Sequence, residues 1–199
     1  MVDAQSLAAM TELIGIGVGR AGEVLNTMLG SHVRLSVPSL REVRVEDLAA
    51  TLENRSIDSL SAVEMEFSGD FTGCAELVFA SSDASRLVDV ITAEVPSLEG
   101  DLDSIRAGTL CEVGNIVLNA ILGTIVNEVG AELAYSVPIY LHGAAKDLLV
   151  GVAQGAELII LVSTCFEIES IAVDGDIAIF LSLGAFDGLK EALHRFANG

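Results

Sequence analysis

Hydrophobic and polar positions alternate along this chain with two periods. In Val2-Asp-Ala-Gln-Ser-Leu-Ala-Ala-Met-Thr-Glu-Leu-Ile14, Leu7, Met10, Leu13 and Ile14 recur at helical spacing, which predicts a helix that runs on into the glycines at 15, 17, 19 and 22. From Ser61 to Phe67 the period drops to two: Val63, Met65 and Phe67 alternate with Glu64 and Glu66, as in a strand with one wet face. Cys74 to Ala80 reads as its hairpin partner across Gly69-Asp70. Leu158 to Phe166 and Asp176 to Leu183 read as a second hairpin, with Asp174-Gly175 as the turn signal. A further long helix spans the residues around 108 to 124. On its wheel Leu110, Val113, Val117, Ala120, Ile121 and Thr124 form a broad buried sector, and Gly108, Glu112, Asn115 and Asn119 form a narrow stripe nearly opposite.

These elements occur twice. Glu12-Leu-Ile-Gly15 aligns with Glu112-Val-Gly-Asn115, and without a gap Ser36-Val37-Pro38 aligns with Ser136-Val137-Pro138, a constant offset of 100 residues. Ile16 and Gly30 match Ile116 and Gly130, and the segment from Phe67 to Phe79 resembles that from Phe166 to Phe180. The reading is a single α/β (α+β) domain, 1–199, of two fused copies, 1–98 and 101–199. Each copy runs long helix, strand ending near Val-Pro, short helix, hairpin and last helix. The two are expected to share one sheet of roughly six strands with the long helices on one face. Pro38 and Pro138 fall where a missing amide donor is tolerable, at an edge or a strand end.

Gly17-Val-Gly19-Arg-Ala-Gly22 fits the G-x-G-x-x-G pattern of dinucleotide-binding loops. That motif works only between a strand and a helix N-terminus, whereas these glycines continue a helix. The second copy reads Asn115-Ile-Val-Leu-Asn-Ala-Ile-Leu122 in their place, so the glycines are not a shared phosphate cradle. Each helix-interior glycine costs roughly 1 kcal/mol against alanine, which points to close approach by a neighbouring element.

With 29 acidic against 10 basic residues and a net charge of −19, the surface repels nucleic acid and anionic membranes. An ordinary interior beneath so acidic a surface implies adaptation to high salt, and we expect a halophilic, archaeal source. Cys74, Cys111 and Cys165 lie far apart, as small core hydrophobes of a reducing compartment, and His32, His142 and His194 show no ligand spacing. No metal or cofactor is expected on the chain itself. The start lacks a basic leader and the apolar run Leu158 to Val162 is too short for a bilayer, so a cytoplasmic protein is expected.

Glu112 and Asn115, at i and i+3, project side by side from an otherwise apolar helix. Read alone, such a pair fits a solvated face as well as a site. Followed after 22 residues by Pro138, it matches the E-x-x-N-x22-P signature of the CheC, CheX and FliY family of chemotaxis phosphatases, which this chain resembles. The two-copy layout is similar to the CheC type over essentially the whole chain. The resemblance implies a phosphatase of the phosphorylated response regulator CheY, in which Asn115 orients the attacking water and Glu112 ion-pairs with a lysine of the regulator. Mg²⁺ is expected on that partner. Asn119 is a possible accessory. The first copy departs from the pattern: Glu12 survives, but Gly15 replaces the asparagine, Gly19 stands for Asn119 and Ala8 for the family's Asp or Ser, so this site reads as degenerate. Gly108 likewise departs at that last position of the second copy. An alternative is an adaptor that binds CheY-P or the receptor deamidase CheD with little turnover.

Overall fold

The computed structural model describes residues 2–30, 32–53, 59–94, 102–148, 156–168, 171–182 and 185–198. The elements are α1 (Ala4–Leu29), β1 (Val33–Val43), α2 (Val45–Glu53), β2 (Leu60–Gly69), β3 (Gly73–Ala80), α3 (Ser81–Glu94), α4 (Leu102–Val129), β4 (Leu133–Tyr135), β5 (Ile139–Gly143), β6 (Ala156–Ile168), β7 (Ile171–Ser182) and α5 (Ala185–Asn198). Helix α1 starts on Asp3, whose carboxylate accepts from Ser6 N, and stops at Gly30 in the left-handed region. Gly130, at φ 70°, follows the end of α4 in the same conformation. Both long helices thus end on a residue that lacks the Cβ clash of that region.

All described strand pairs are antiparallel, in the order β1-β6-β7-β3-β2-β4, with β5 also paired to β2. The seven strands fill six sheet positions, because β4 and β5 share the outer edge of β2, interrupted at residues 136–138. Strand β1 lies on the β6–β7 hairpin, and β4 with β5 lies on the β2–β3 hairpin.

Core side chains from α1, α3, α4 and α5 form one cluster with one sheet face. Helix α2, through Leu48 and Leu52, covers the other face together with Ala145 and Leu148. Both long helices therefore lie on one face, as expected. Helix α4 is long and apolar enough to cross a bilayer, which the short run Leu158 to Val162 did not suggest, but more than half of that stretch is buried in the fold. The glycines of α1 divide by role. A Cβ on Gly17 would meet Ile121 Cα, while Gly15 and Gly19 face open space.

Four expectations are corrected. Strand β1 runs through Pro38 to Val43, accommodating the proline at a register irregularity between Ser36 and Ser39 instead of ending there. Asp174-Gly175 is no turn. It lies inside β7, opposite Cys165 and Thr164, and Gly175 is small because the Phe79 ring, 5.3 Å from that of Phe166, occupies the space of a Cβ. The face of β2 and β3 that carries Glu64 and Glu66 is wet only at its end: Glu66 is exposed, but Glu64 is half-buried and its cross-strand neighbour Glu76 is fully buried on the face that α2 covers. Of the cysteines only Cys74 is buried; Cys111 and Cys165 are half-buried and all three are free thiols.

Candidate functional site

The buried sector of α4 contains Leu110, Val113, Val117, Leu118, Ile121 and Thr124. It seats the helix on the sheet. Gly114 lies directly over β2, where a Cβ would fall 2.5 Å from Val63 Cγ1, so the helix cannot rise from the strand at this level without losing contact. Val113 and Gly114 face inwards, and on either side of them Glu112 and Asn115 face outwards. Glu112 is exposed, Asn115 and Asn119 are half-buried, and Gly108 is exposed. The four positions form one stripe on the solvent side of a rigid helix.

Within it, Asn119 Nδ2 donates to Asn115 Oδ1 at 2.7 Å. Cys111, beside Glu112, donates its Sγ–H to the Pro138 carbonyl at 3.8 Å. Burial raises the pKa of that thiol, which keeps the donor protonated. The contact joins Pro138 to the helix that carries Glu112 and Asn115, one residue from the former. Pro138 sits in the break between β4 and β5, where Ser136 instead holds β2: its N–H donates to Glu66 O at 2.9 Å and its Oγ accepts from Glu66 N at 3.0 Å. A residue without an amide proton suits a stretch where the ladder is interrupted.

Beside that break lies a surface that the hydrophobic periodicity does not mark. Tyr135, Val137 and Ile139 are 37, 84 and 50% exposed, an apolar edge around Pro138. Tyr135 and Ile139 are paired to β2 and lie on the sheet's outer edge, and Val137 lies in the break between them. The groove of about 430 Å³ between β4 and the β2–β3 turn is lined by Tyr135, Ser136, Glu66 and Thr72, among others.

On α1, Glu12 is exposed and so are Ala8, Gly15 and Gly19. Beyond the Glu12 carboxylate this stripe carries no side-chain functional group until Arg20, which reaches across to donate to Thr124 Oγ1 at 2.9 Å. At its exposed positions 8, 12, 15 and 19, α1 carries no side-chain amide. Pro38 stands within β1 and is not paired in its register. Among the described residues, no three His, Cys, Asp or Glu side chains are grouped to hold a metal ion.

No family model matches the sequence. The fold is nevertheless shared with solved structures. FliY of Thermotoga maritima is 17% identical with a TM-score of 0.76, covering 98% of this chain and 99% of that one. FliM of H. pylori, solved in complex with SpeE, is 13% identical at 0.71, over 98% and 97%. The chemotaxis protein CheX of Desulfovibrio desulfuricans is 15% identical at 0.55, over 86% and 99%. This chain therefore has the CheC/CheX/FliY-type fold, at identities that speak for architecture alone.

Proposed function

We propose that this chain accelerates dephosphorylation of a phosphorylated chemotaxis response regulator of the CheY type, acting from α4. One observation carries the reading: in a fold shared with FliY and CheX, Glu112 and Asn115 stand side by side on the solvent face of a helix, with Pro138 linked through Cys111 to that helix. The motif E-x-x-N-x22-P thus has a compact spatial counterpart.

The chemistry asks little of the phosphatase. The regulator carries the phospho-aspartate and its Mg²⁺, and hydrolysis needs a water aligned opposite the leaving carboxylate in a loose transition state. Water adds to phosphorus, the P–O bond to the aspartyl oxygen breaks, and phosphate departs. Asn115 aligns that water; an uncharged amide can donate and accept beside phosphate without adding repulsion. Glu112 docks a lysine of the regulator and so sets register. The first-half site, with Glu12 but Gly15, contributes no water-orienting group.

This reading makes the protein a cytoplasmic phospho-aspartyl phosphatase of two fused CheC-like halves. The charge of −19 further supports a halophilic source, and the assay belongs in concentrated KCl. The test is phosphate release from the phosphorylated cognate regulator with and without the protein. Stimulation that disappears in Asn115→Ala supports the proposal, and no stimulation by the wild type refutes it.

A second reading has its own observation. FliM of H. pylori, of the same fold, was solved in complex with FliG and with SpeE, so this architecture also serves as a binding module. An adaptor that holds the phosphorylated regulator or CheD would bind with the same affinity in wild type and Asn115→Ala and leave the regulator's dephosphorylation rate unchanged.

A further inference from the structure

Asparagine has a weakness as a water-orienting group. Rotation about its last side-chain bond is broad and roughly two-fold, so an unrestrained amide offers its oxygen or its nitrogen outwards with similar ease. On α4 this ambiguity is removed one turn further along. Asn119 Nδ2 donates to Asn115 Oδ1 at 2.7 Å, and no described residue accepts from Asn115 Nδ2. Both residues are half-buried.

We propose that Asn119 is the positioning residue of the site: by holding Oδ1 of Asn115 it turns the two N–H donors of that amide outwards and fixes them there. The inference rests on the phosphatase reading for its consequence, and on the 2.7 Å bond for its geometry. The i to i+4 spacing puts the two side chains on one helical face, which lets a single hydrogen bond lock the rotamer. The acceptor keeps a second lone pair, and donation from Asn119 polarises the carbonyl that carries it.

The first half supports the pairing independently. The equivalents of Asn115 and Asn119 are Gly15 and Gly19, and neither has an atom within 4 Å of where a Cβ would stand. Space did not force either glycine. The two amides are present together in one half and absent together in the other, as expected of a functional pair.

The test is Asn119→Asp, an isosteric change that removes the donor and leaves an acceptor facing Oδ1, with Asn119→Gln as the variant that retains an amide. Two readouts are taken: kcat and KM for stimulated dephosphorylation, and the side-chain ¹H–¹⁵N resonances of Asn115, assigned by their loss in Asn115→Ala. We expect Asn119→Asp to turn the Asn115 amide so that Nδ2 meets the new carboxylate. Its resonances shift, kcat falls about tenfold, KM holds, and Asn119→Gln recovers most of the loss. A variant that shifts the resonances with kcat unchanged overturns the proposal, and so do unshifted resonances. If the resonances shift but the wild type stimulates no dephosphorylation, the positioning holds and the phosphatase reading fails.

Discussion

Gly17 of α1 faces Ile121 of α4 so closely that a Cβ at residue 17 would lie 2.7 Å from Ile121 Cα and 3.0 Å from Ala120 O. The two long helices cross backbone against backbone. Gly17→Ala improves helix propensity by about 1 kcal/mol but must push the helices apart, and overpacking of this kind costs about 1–3 kcal/mol. The obstacle is main chain, which cannot swing aside as a side chain can. We expect Gly17→Ala to be net destabilising in urea unfolding, whereas Gly19→Ala, into open space, is stabilising by about 0.5–1 kcal/mol. Equal effects of the two changes would mean that the crossing is not tight.

Glu64 and Glu76 face each other across β2 and β3, and Glu76 is fully buried. Burial and then the Glu64 charge push Glu76 up to about 8, and burial and then Glu66 raise Glu64. Cys74 and, from β7, Asp176 share that face. The folded pKa of Glu76 lies above the ordinary value of 4.5, so the folded state holds the proton more tightly than the unfolded chain. Stability from this group is complete below pH 4.5 and is lost as pH rises towards about 8, with a slope of at most about 1.4 kcal/mol per pH unit. Urea titrations between pH 5 and pH 8.5 should show that decline, and Glu76→Gln should flatten it.

The periodicities that were local in origin read correctly from sequence. Helix α1, the wheel of α4 and the first hairpin each follow from side chains three, four or two apart. What did not read was set by partners distant along the chain. Alternating Glu64 and Glu66 have the signature of a wet face, which holds at the exposed Glu66 and fails at Glu64, where the sheet face is covered. Asp174-Gly175 has turn chemistry, but Phe79, a strand away, uses the missing Cβ. The candidate stripe of Glu112, Asn115 and Asn119 was legible from the helical period. The bond between the two amides was not, because the wheel gives proximity and not which atom faces which.

Asp3 ties the first helix to the last. Its carboxylate accepts from Ser6 N and Ser6 Oγ, each at 3.0 Å, and meets Lys190 Nζ at 3.2 Å and His194 Nε2 at 3.1 Å. The backbone bond from Ser6, with help from His194 and Lys190 against partial desolvation, holds its pKa well below the usual carboxylate range. A depressed pKa contributes stability above the unfolded value of 3.8 that is lost as pH falls through the folded one. Asp3→Ala should lower Tm at pH 7 through loss of the cap. Asp3→Asn keeps an oxygen for Ser6 N but loses the charge, so it should fall between the two, and its deficit against wild type should shrink as the pH is taken to strongly acid values. A deficit independent of pH would assign the whole effect to the cap.

If the paired amides make the site, the first half can be converted only by restoring both. Gly15 and Gly19 are helical, exposed and sterically open, so each accepts a side chain without displacing a neighbour. Gly15→Asn alone supplies an amide whose two ends are equally free to face outwards, beside a Glu12 already in place. We expect it to be neutral to mildly stabilising and to add little turnover. Adding Gly19→Asn recreates the i to i+4 bond and should raise stimulated dephosphorylation in an Asn115→Ala background well above that of either single change. In the unaltered chain Glu12→Ala should cost little, while Glu112→Ala should raise KM as well as lower kcat, since it removes the docking carboxylate. Rates compared across these variants at fixed regulator concentration decide the matter: loss of activity in Glu12→Ala with none in Asn115→Ala would move the working surface to α1.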